Sequence, residues 1–189
     1  WKETGENGGG LTYNLGAHVI DQAVQLFGMP EAVFADIATL RTGGKVDDYF
    51  IIHLMKPARM PEVKITLKAS YLMCENEPRF VLHGTEGSYV KYGLDPQEAD
   101  LTKGMLPDTP HWGEEDESQW GILHTETDGN VVRKPYPTLP GNYAAFYENI
   151  YQHIRNGAVL QSDACGVLGV IRLIEAAWES SRTGNVIKL

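Results

Sequence analysis

The chain has 189 residues, a length that suits one domain with a core of its own. Its 25 acidic residues against 16 basic ones give a formal charge of −9, which argues against a nucleic-acid or anionic-membrane surface, because phosphate contact needs a basic patch. No apolar run approaches the roughly 18 residues of a membrane helix and no segment reads as a signal peptide. Cys74 and Cys165 share no metal-ligand spacing and read as buried, reduced thiols of a cytoplasmic protein.

Gly8, Gly9 and Gly10 lead into a predicted helix that stops at Gly28, with Pro30 just beyond. Leu15, Val19, Ile20, Ala23, Val24 and Phe27 form its apolar stripe. Asn14, His18, Asp21 and Gln25 follow i, i+4, i+7, i+11, so four polar groups share the opposite face. A surface helix would carry Lys and Glu there; an amide, an imidazole, a carboxylate and a second amide suit the wall of a site.

Strands are predicted over 32–41 and 48–55, each apolar on both faces, and from Val63 to Ser70, where Val63, Ile65, Leu67 and Ala69 alternate with polar residues. Segments 79–83 and 88–92 flank a Gly84–Gly87 turn, and 122–127 and 130–134 bracket Asp128-Gly129, both hairpin signals. Strands joined this closely must pair antiparallel. Pro96 to Lys103 reads as a short helix, and the acidic run from Glu114 to Glu117 as a solvated loop. The last third is helical. Asn142 caps one helix that shows Tyr143, Phe146, Tyr147, Ile150 and Ile154 on a single face and stops at Gly157. Ser162 or Asp163 caps the next, which is expected to bury Ala164, Val167, Leu168, Ile171, Ile174 and Trp178. Gly166 and Gly169 suggest that another backbone packs closely on it, and 185–189 reads as a final strand. The fold class is α+β: an open, mostly antiparallel sheet with helices packed on one face.

His18 is the candidate for proton transfer, since an imidazole titrating near about 6.5 can accept a hydroxyl proton near neutral pH. Asp21, one turn along, could fix its tautomer or bind a substrate hydroxyl. Asn14 has two readings, an N-cap or a substrate contact; Thr12 and Tyr13 flank the same turn. Tyr49, His53 and His83 fall on strands, as core or subunit interface. The glycine run fails as a dinucleotide fingerprint, because the third glycine and the preceding strand are absent. No diagnostic metal-ligand spacing occurs.

The run from Gly8 to Asp21 resembles the motif G-G-G-x-x-x-D-x-G-x-H-x-x-D that opens the C-terminal domain of the glucose–fructose oxidoreductase/inositol dehydrogenase/MocA family. Val81-Leu82-His83-Gly84-Thr85-Glu86-Gly87-Ser88, Asn142-Tyr143-Ala144-Ala145-Phe146-Tyr147 and Ile174-Glu175-Ala176-Ala177-Trp178-Glu179-Ser180-Ser181 agree with it. Asp95-Pro96-Gln97-Glu98 and Trp112-Gly113 are similar to the scyllo-inositol dehydrogenase-like branch. One position departs: Asn14 stands where the family usually has Asp. The resemblance implies an open sheet whose free face serves subunit contact, and NAD or NADP bound by an N-terminal Rossmann domain that this chain, starting at Trp1, is expected to lack. Residues 1–189 then form a single substrate-binding and oligomerisation domain, with no cofactor of its own. It would act on a sugar, inositol or related polyol, with His18 as acid/base and Asn14, Asp21, Thr12 and Tyr13 around the substrate. The alternative is a non-catalytic assembly or regulatory domain that keeps the fold without the chemistry.

Overall fold

A computed structural model describes residues 3–4 and 8–189; Trp1 lies outside them. The chain divides into two compact units. Trp1–Cys74 and Ser162–Leu189 form the first, and Glu75–Gln161 the second.

Unit 1 is a four-stranded sheet with two helices. Its elements are α1 (Ala17–Phe27), β1 (Pro30–Ala38), β2 (Tyr49–Pro57), β3 (Ile65–Ser70), α4 (Ala164–Thr183) and β8 (Ile187–Lys188). The strand order is β3-β2-β1-β8 and every pairing is antiparallel. Period-two alternation places Val33, Ala35, Ile37, Phe50, Ile52, Leu54 and Ile65 on one face. These pack with Ile20 and Ala23 of α1 and Leu173, Ile174 and Ala177 of α4 into the core. The opposite face carries Phe34, Asp36, Tyr49, Ile51, His53 and Met55. There His53 Nδ1 meets Thr66 Oγ1 at 3.0 Å, and its ring stacks on Phe34.

β8 pairs with β1 only at Ala32 and Val33. Past that point α4 serves the strand edge. The Ala35 amide donates to Ser180 Oγ (3.0 Å) and the Ile37 amide to Ser181 Oγ (2.9 Å), so the edge donors are paired without a further strand. Asp163 caps α4 by accepting from the Gly166 amide at 2.8 Å.

Unit 2 contains β4 (Phe80–His83), β5 (Gly87–Lys91), α2 (Gln97–Thr102), β6 (Gly121–Thr127), β7 (Asn130–Tyr136) and α3 (Ala144–Asn156). Its strands form an antiparallel meander in sequence order. Asp128 (φ 52°) and Gly129 (φ 76°) both take the left-handed conformation that a two-residue hairpin turn requires. The fold class is therefore α+β, with open antiparallel sheets and helices alongside.

Four sequence expectations are corrected. Cys74 and Cys165 are free but exposed, because each lies where no apolar layer covers it. Glu115 is not solvated: its side chain is 6% exposed and paired with Lys91 at 2.8 Å. The first half of α4 is not buried. Ala164 is exposed, Val167 is 55% and Leu168 49% exposed, and only from Val170 onward does the helix lie on the core. Among the described residues no backbone approaches Gly166 or Gly169; Gly169 faces the Met29 side chain, and Gly166 only its own cap. The aromatic face of α3 is likewise open, with Phe146 53%, Tyr147 70% and Ile154 73% exposed.

Candidate functional site

The site is built on the segment leading into α1. Gly10 has φ 89°, and a Cβ there would fall on the Asp47 carboxylate, so only glycine fits. Asp47, 3% exposed, occupies the start of the helix. Its Oδ2 accepts from the Thr12 amide and the Thr12 hydroxyl, both at 2.6 Å, while its carbonyl accepts from the Leu11 amide at 3.0 Å. A carboxylate at a helix N-terminus satisfies orphan amides and complements the macrodipole.

Residues Thr12–Gly16 form a π-turn before α1 begins at Ala17. Such turns arise where an i→i+5 pattern replaces one turn of α-helix, and they are frequent at functional sites. Asn14 sits inside this turn. Its amide donates to the Gly10 carbonyl at 3.1 Å, and the turn carries no side-chain cap. The N-cap reading of Asn14 is thus overturned, because Asp47, 33 residues further along the chain (47 − 14), already fills that role. The Asn14 side chain donates instead to the Tyr71 hydroxyl at 3.4 Å.

Strand β2 holds both ends of the helix. Asp47 precedes it and pins the N-terminus. Arg59 follows it, with its amide on the Phe27 carbonyl (2.9 Å) and its guanidinium on the Gln25 carbonyl. Gly28 at φ 84° makes the tight exit.

Next to Asp47, Asp48 is fully buried. It accepts from the Leu40 amide (2.7 Å), the Arg41 amide (3.0 Å) and Arg41 Nε (2.9 Å). Burial works against its charge, but these amides and the guanidinium outweigh it and hold the carboxyl below its ordinary value. Arg41, so clamped, lies over the Tyr71 ring at 5.5 Å from its centroid. A continuous series of contacts therefore runs Asp48–Arg41–Tyr71–Asn14. An open depression lined by Glu3, Arg41, Thr42 and Lys45 shares Arg41 with this series.

His18 is the second residue of α1 and is exposed; among the described residues its imidazole makes no hydrogen bond. Asp21 is exposed and accepts from Gln25 Nε2 at 3.4 Å, which leaves His18 without an orienting carboxylate here. Thr12 is buried and spent on Asp47. Tyr13 is half-buried. Burial, with the charges of Glu175 and Asp47, pushes its phenol above the ordinary value, so it stays protonated at neutral pH. Among the described residues no three His, Cys, Asp or Glu side chains converge as metal ligands.

Asp47, Asp48, Arg41 and Tyr71 were not expected from sequence. The available signal was the pair Asp47-Asp48 abutting an apolar strand, a place where carboxylates need partners.

The chain belongs to the glucose–fructose oxidoreductase/inositol dehydrogenase/MocA oxidoreductase family, matching its C-terminal alpha/beta domain over residues 1–189. It is 35% identical over 189 residues to scyllo-inositol 2-dehydrogenase (NADP(+)) IolW of Bacillus subtilis, covering all of this chain and 52% of that protein. A Bacteroides fragilis protein described as an oxidoreductase is 62% identical, with a TM-score of 0.90 over 95% of this chain and 53% of its own. YvaA of B. subtilis, also described as an oxidoreductase, is 36% identical with a TM-score of 0.89 over 97% and 52%. The chain thus spans about half the length of the relatives it matches.

Proposed function

We propose that this chain is the substrate-binding and oligomerisation domain of a cytoplasmic, NAD- or NADP-dependent oxidoreductase acting on a sugar, inositol or related polyol. The observation that carries this reading is the anchored helix: Gly10 and Asp47 fix its start, Arg59 fixes its end, and Asn14 and His18 stand on its open side. The identity to an inositol dehydrogenase supports the substrate class.

The nicotinamide does not fit this chain. Among the described residues, the glycine-entered helix start has its Leu11 and Thr12 amides taken by Asp47, which leaves no cradle there for a pyrophosphate. Hydride chemistry therefore belongs to the remainder of the protein, and this chain's residues handle the alcohol. His18 accepts the hydroxyl proton as the C–H bond breaks. Asn14, held by Tyr71, offers an amide that both donates to and accepts from neighbouring hydroxyls. Asp21 accepts from another hydroxyl, and Thr12 and Tyr13 shape the turn beneath. Like copies associate through the sheet face that carries Phe34, Tyr49, Ile51 and Met55, opposite α1 and α4.

The rival reading, an assembly domain without chemistry, is favoured by the lone imidazole of His18 and by Asn14 in place of the family's Asp. Kinetics of the longer protein decide. His18→Ala should lower kcat by about 10²–10⁴ with a smaller change in KM. Asn14→Asp should raise the basicity of His18 and move the pH–rate profile. A His18→Ala protein with unchanged kcat from pH 6 to 9 (roughly, the range around an imidazole's titration) would leave the assembly reading standing.

A further inference from the structure

Asp47 and Asp48 stand side by side ahead of β2, and they hold different halves of one contact. Asp47 fixes the turn that carries Asn14, through the Leu11 and Thr12 amides and the Thr12 hydroxyl. Asp48 fixes the other half, the Tyr71 phenol just past β3, and does so from two directions. Its carbonyl accepts from the Tyr71 amide at 3.0 Å, which sets the backbone there. Its buried carboxylate accepts from the Arg41 amide and Nε, and the guanidinium so fixed lies over the Tyr71 ring. Arg41 also meets Glu3 at 2.9 Å, but that carboxylate is 58% exposed, and a pair open to water adds little hold. Between the two halves, Asn14 Nδ2 donates to Tyr71 Oη.

Tyr71 is 43% exposed and lies outside the apolar core, so burial does not fix its ring. A side chain half in water keeps its rotamer freedom unless a partner removes it. The planar guanidinium on its face is that partner. We infer that Arg41 is a positioning residue for the polyol site, an inference that rests on the function proposed above. Clamped by Asp48, it keeps the phenol beside Asn14. The phenol oxygen in turn sets the Asn14 amide in one orientation. Among the described residues Asn14 Oδ1 has no hydrogen-bond partner, so it is left to accept from a substrate hydroxyl. Arg41 acts through Tyr71 and not on the substrate.

The test is a double-variant cycle in the longer protein, with scyllo-inositol and NADP as the probe pair. Arg41→Lys keeps a cation beside Asp48, so the fold is retained, but an ammonium cannot stack flat on the ring. It should lower kcat/KM by about tenfold, mostly through KM, the order of loss that a displaced contact group brings. Tyr71→Phe keeps the ring, removes the oxygen that Asn14 meets, and should give a similar loss. In the Tyr71→Phe background, Arg41→Lys should cost less than about twofold more, because the contact it serves is already gone. Equal cost in both backgrounds overturns the inference, and so does Arg41→Lys at wild-type kcat/KM. A crystal structure of the Arg41→Lys longer protein gives a readout that needs no activity. The Asn14–Tyr71 contact should be lost, and a contact kept near 3.4 Å overturns the inference. If the wild-type longer protein oxidises no polyol, the proposed function fails, and that crystal structure still decides the part played by Arg41.

Discussion

Phe50 in unit 1 and Gln97 in unit 2 are both fully buried, yet they are held by different physics. Phe50 belongs to a cluster of fifteen buried apolar side chains drawn from both helices, three strands and Leu11 ahead of the π-turn, so its burial is part of a collective hydrophobic term. Gln97 is held by named partners: Nε2 donates to Asp95, while Oε1 accepts from Trp112 Nε1 and the Tyr143 amide, both at 2.8 Å. Among the described residues of unit 2 no apolar side chain is buried to the same degree. Its other inner group is Lys91, bonded to Glu115 and to the Tyr92 and Gln119 carbonyls. An apolar cluster tolerates partial loss, whereas a polar node fails when one partner goes, since the remainder is left buried and unpaired. Unit 2 also bears the open face of α3, so it is the part with the smaller internal reserve.

The largest expected effect tests the polar node. Lys91→Met should destabilise unit 2 by about 3–5 kcal/mol by stranding Glu115, read by urea unfolding with Trp112 and Trp120 fluorescence. Lys91→Met with Glu115→Leu should recover most of that loss, because no charge is then left in the interior. A single variant within about 1 kcal/mol of wild type would break the contrast between the units.

A smaller effect is expected in unit 1. Asp47→Ala should cost about 1–2 kcal/mol as the helix start loses its cap, whereas Asp47→Asn keeps an acceptor for Thr12 and should cost less. Chemical denaturation followed at Trp178 makes the comparison.

The smallest effect separates the units by pH. The folded value of Asp48 lies below its unfolded one, so its contribution is complete above the ordinary carboxylate range near pH 4 and disappears as pH falls through the folded value. Unfolding free energy of unit 1 should be flat from neutral pH down to about 5 and fall below about 4. Asp48→Asn should remove up to one proton from that slope. Asp116 in unit 2 is also lowered, by the Ser118 hydroxyl and amide, but it is exposed and should add little.

Local patterning carried most of the fold into the sequence reading. The strands emerged within a few residues because period-two alternation is a property of neighbours. The Asp128-Gly129 turn, the Asp163 cap and the Gly157 stop were visible because each acts within a turn of its own position. What failed was non-local. Asn14 looked like a cap because the true cap comes from Asp47. Glu115 looked solvated because its partner lies 24 residues away. The stripes of α3 and early α4 were correct as patterns, but a pattern says that a face is apolar and not which chain covers it. For the candidate site, the family motif singled out Asn14, His18 and Asp21 as expectations, while the series Asp48–Arg41–Tyr71 depends on side chains meeting across the sheet edge and left only the Asp47-Asp48 pair as a trace.

The π-turn at Thr12–Gly16 makes the spacing between Gly10 and Gly28 a constraint independent of which residues fill it. The two ends of this segment are moored by Asp47 and Arg59, and its middle by Ile20 and Ala23 in the core. Deleting one residue within the π-turn would straighten it into ordinary helix, and everything on one side would rotate by about 100° against the other. Either Thr12 would swing away from Asp47, or His18 would turn toward the sheet while an apolar residue took its place in water. The segment thus behaves as a ruler with fixed graduations: side-chain identities can drift along it, but insertions and deletions cannot.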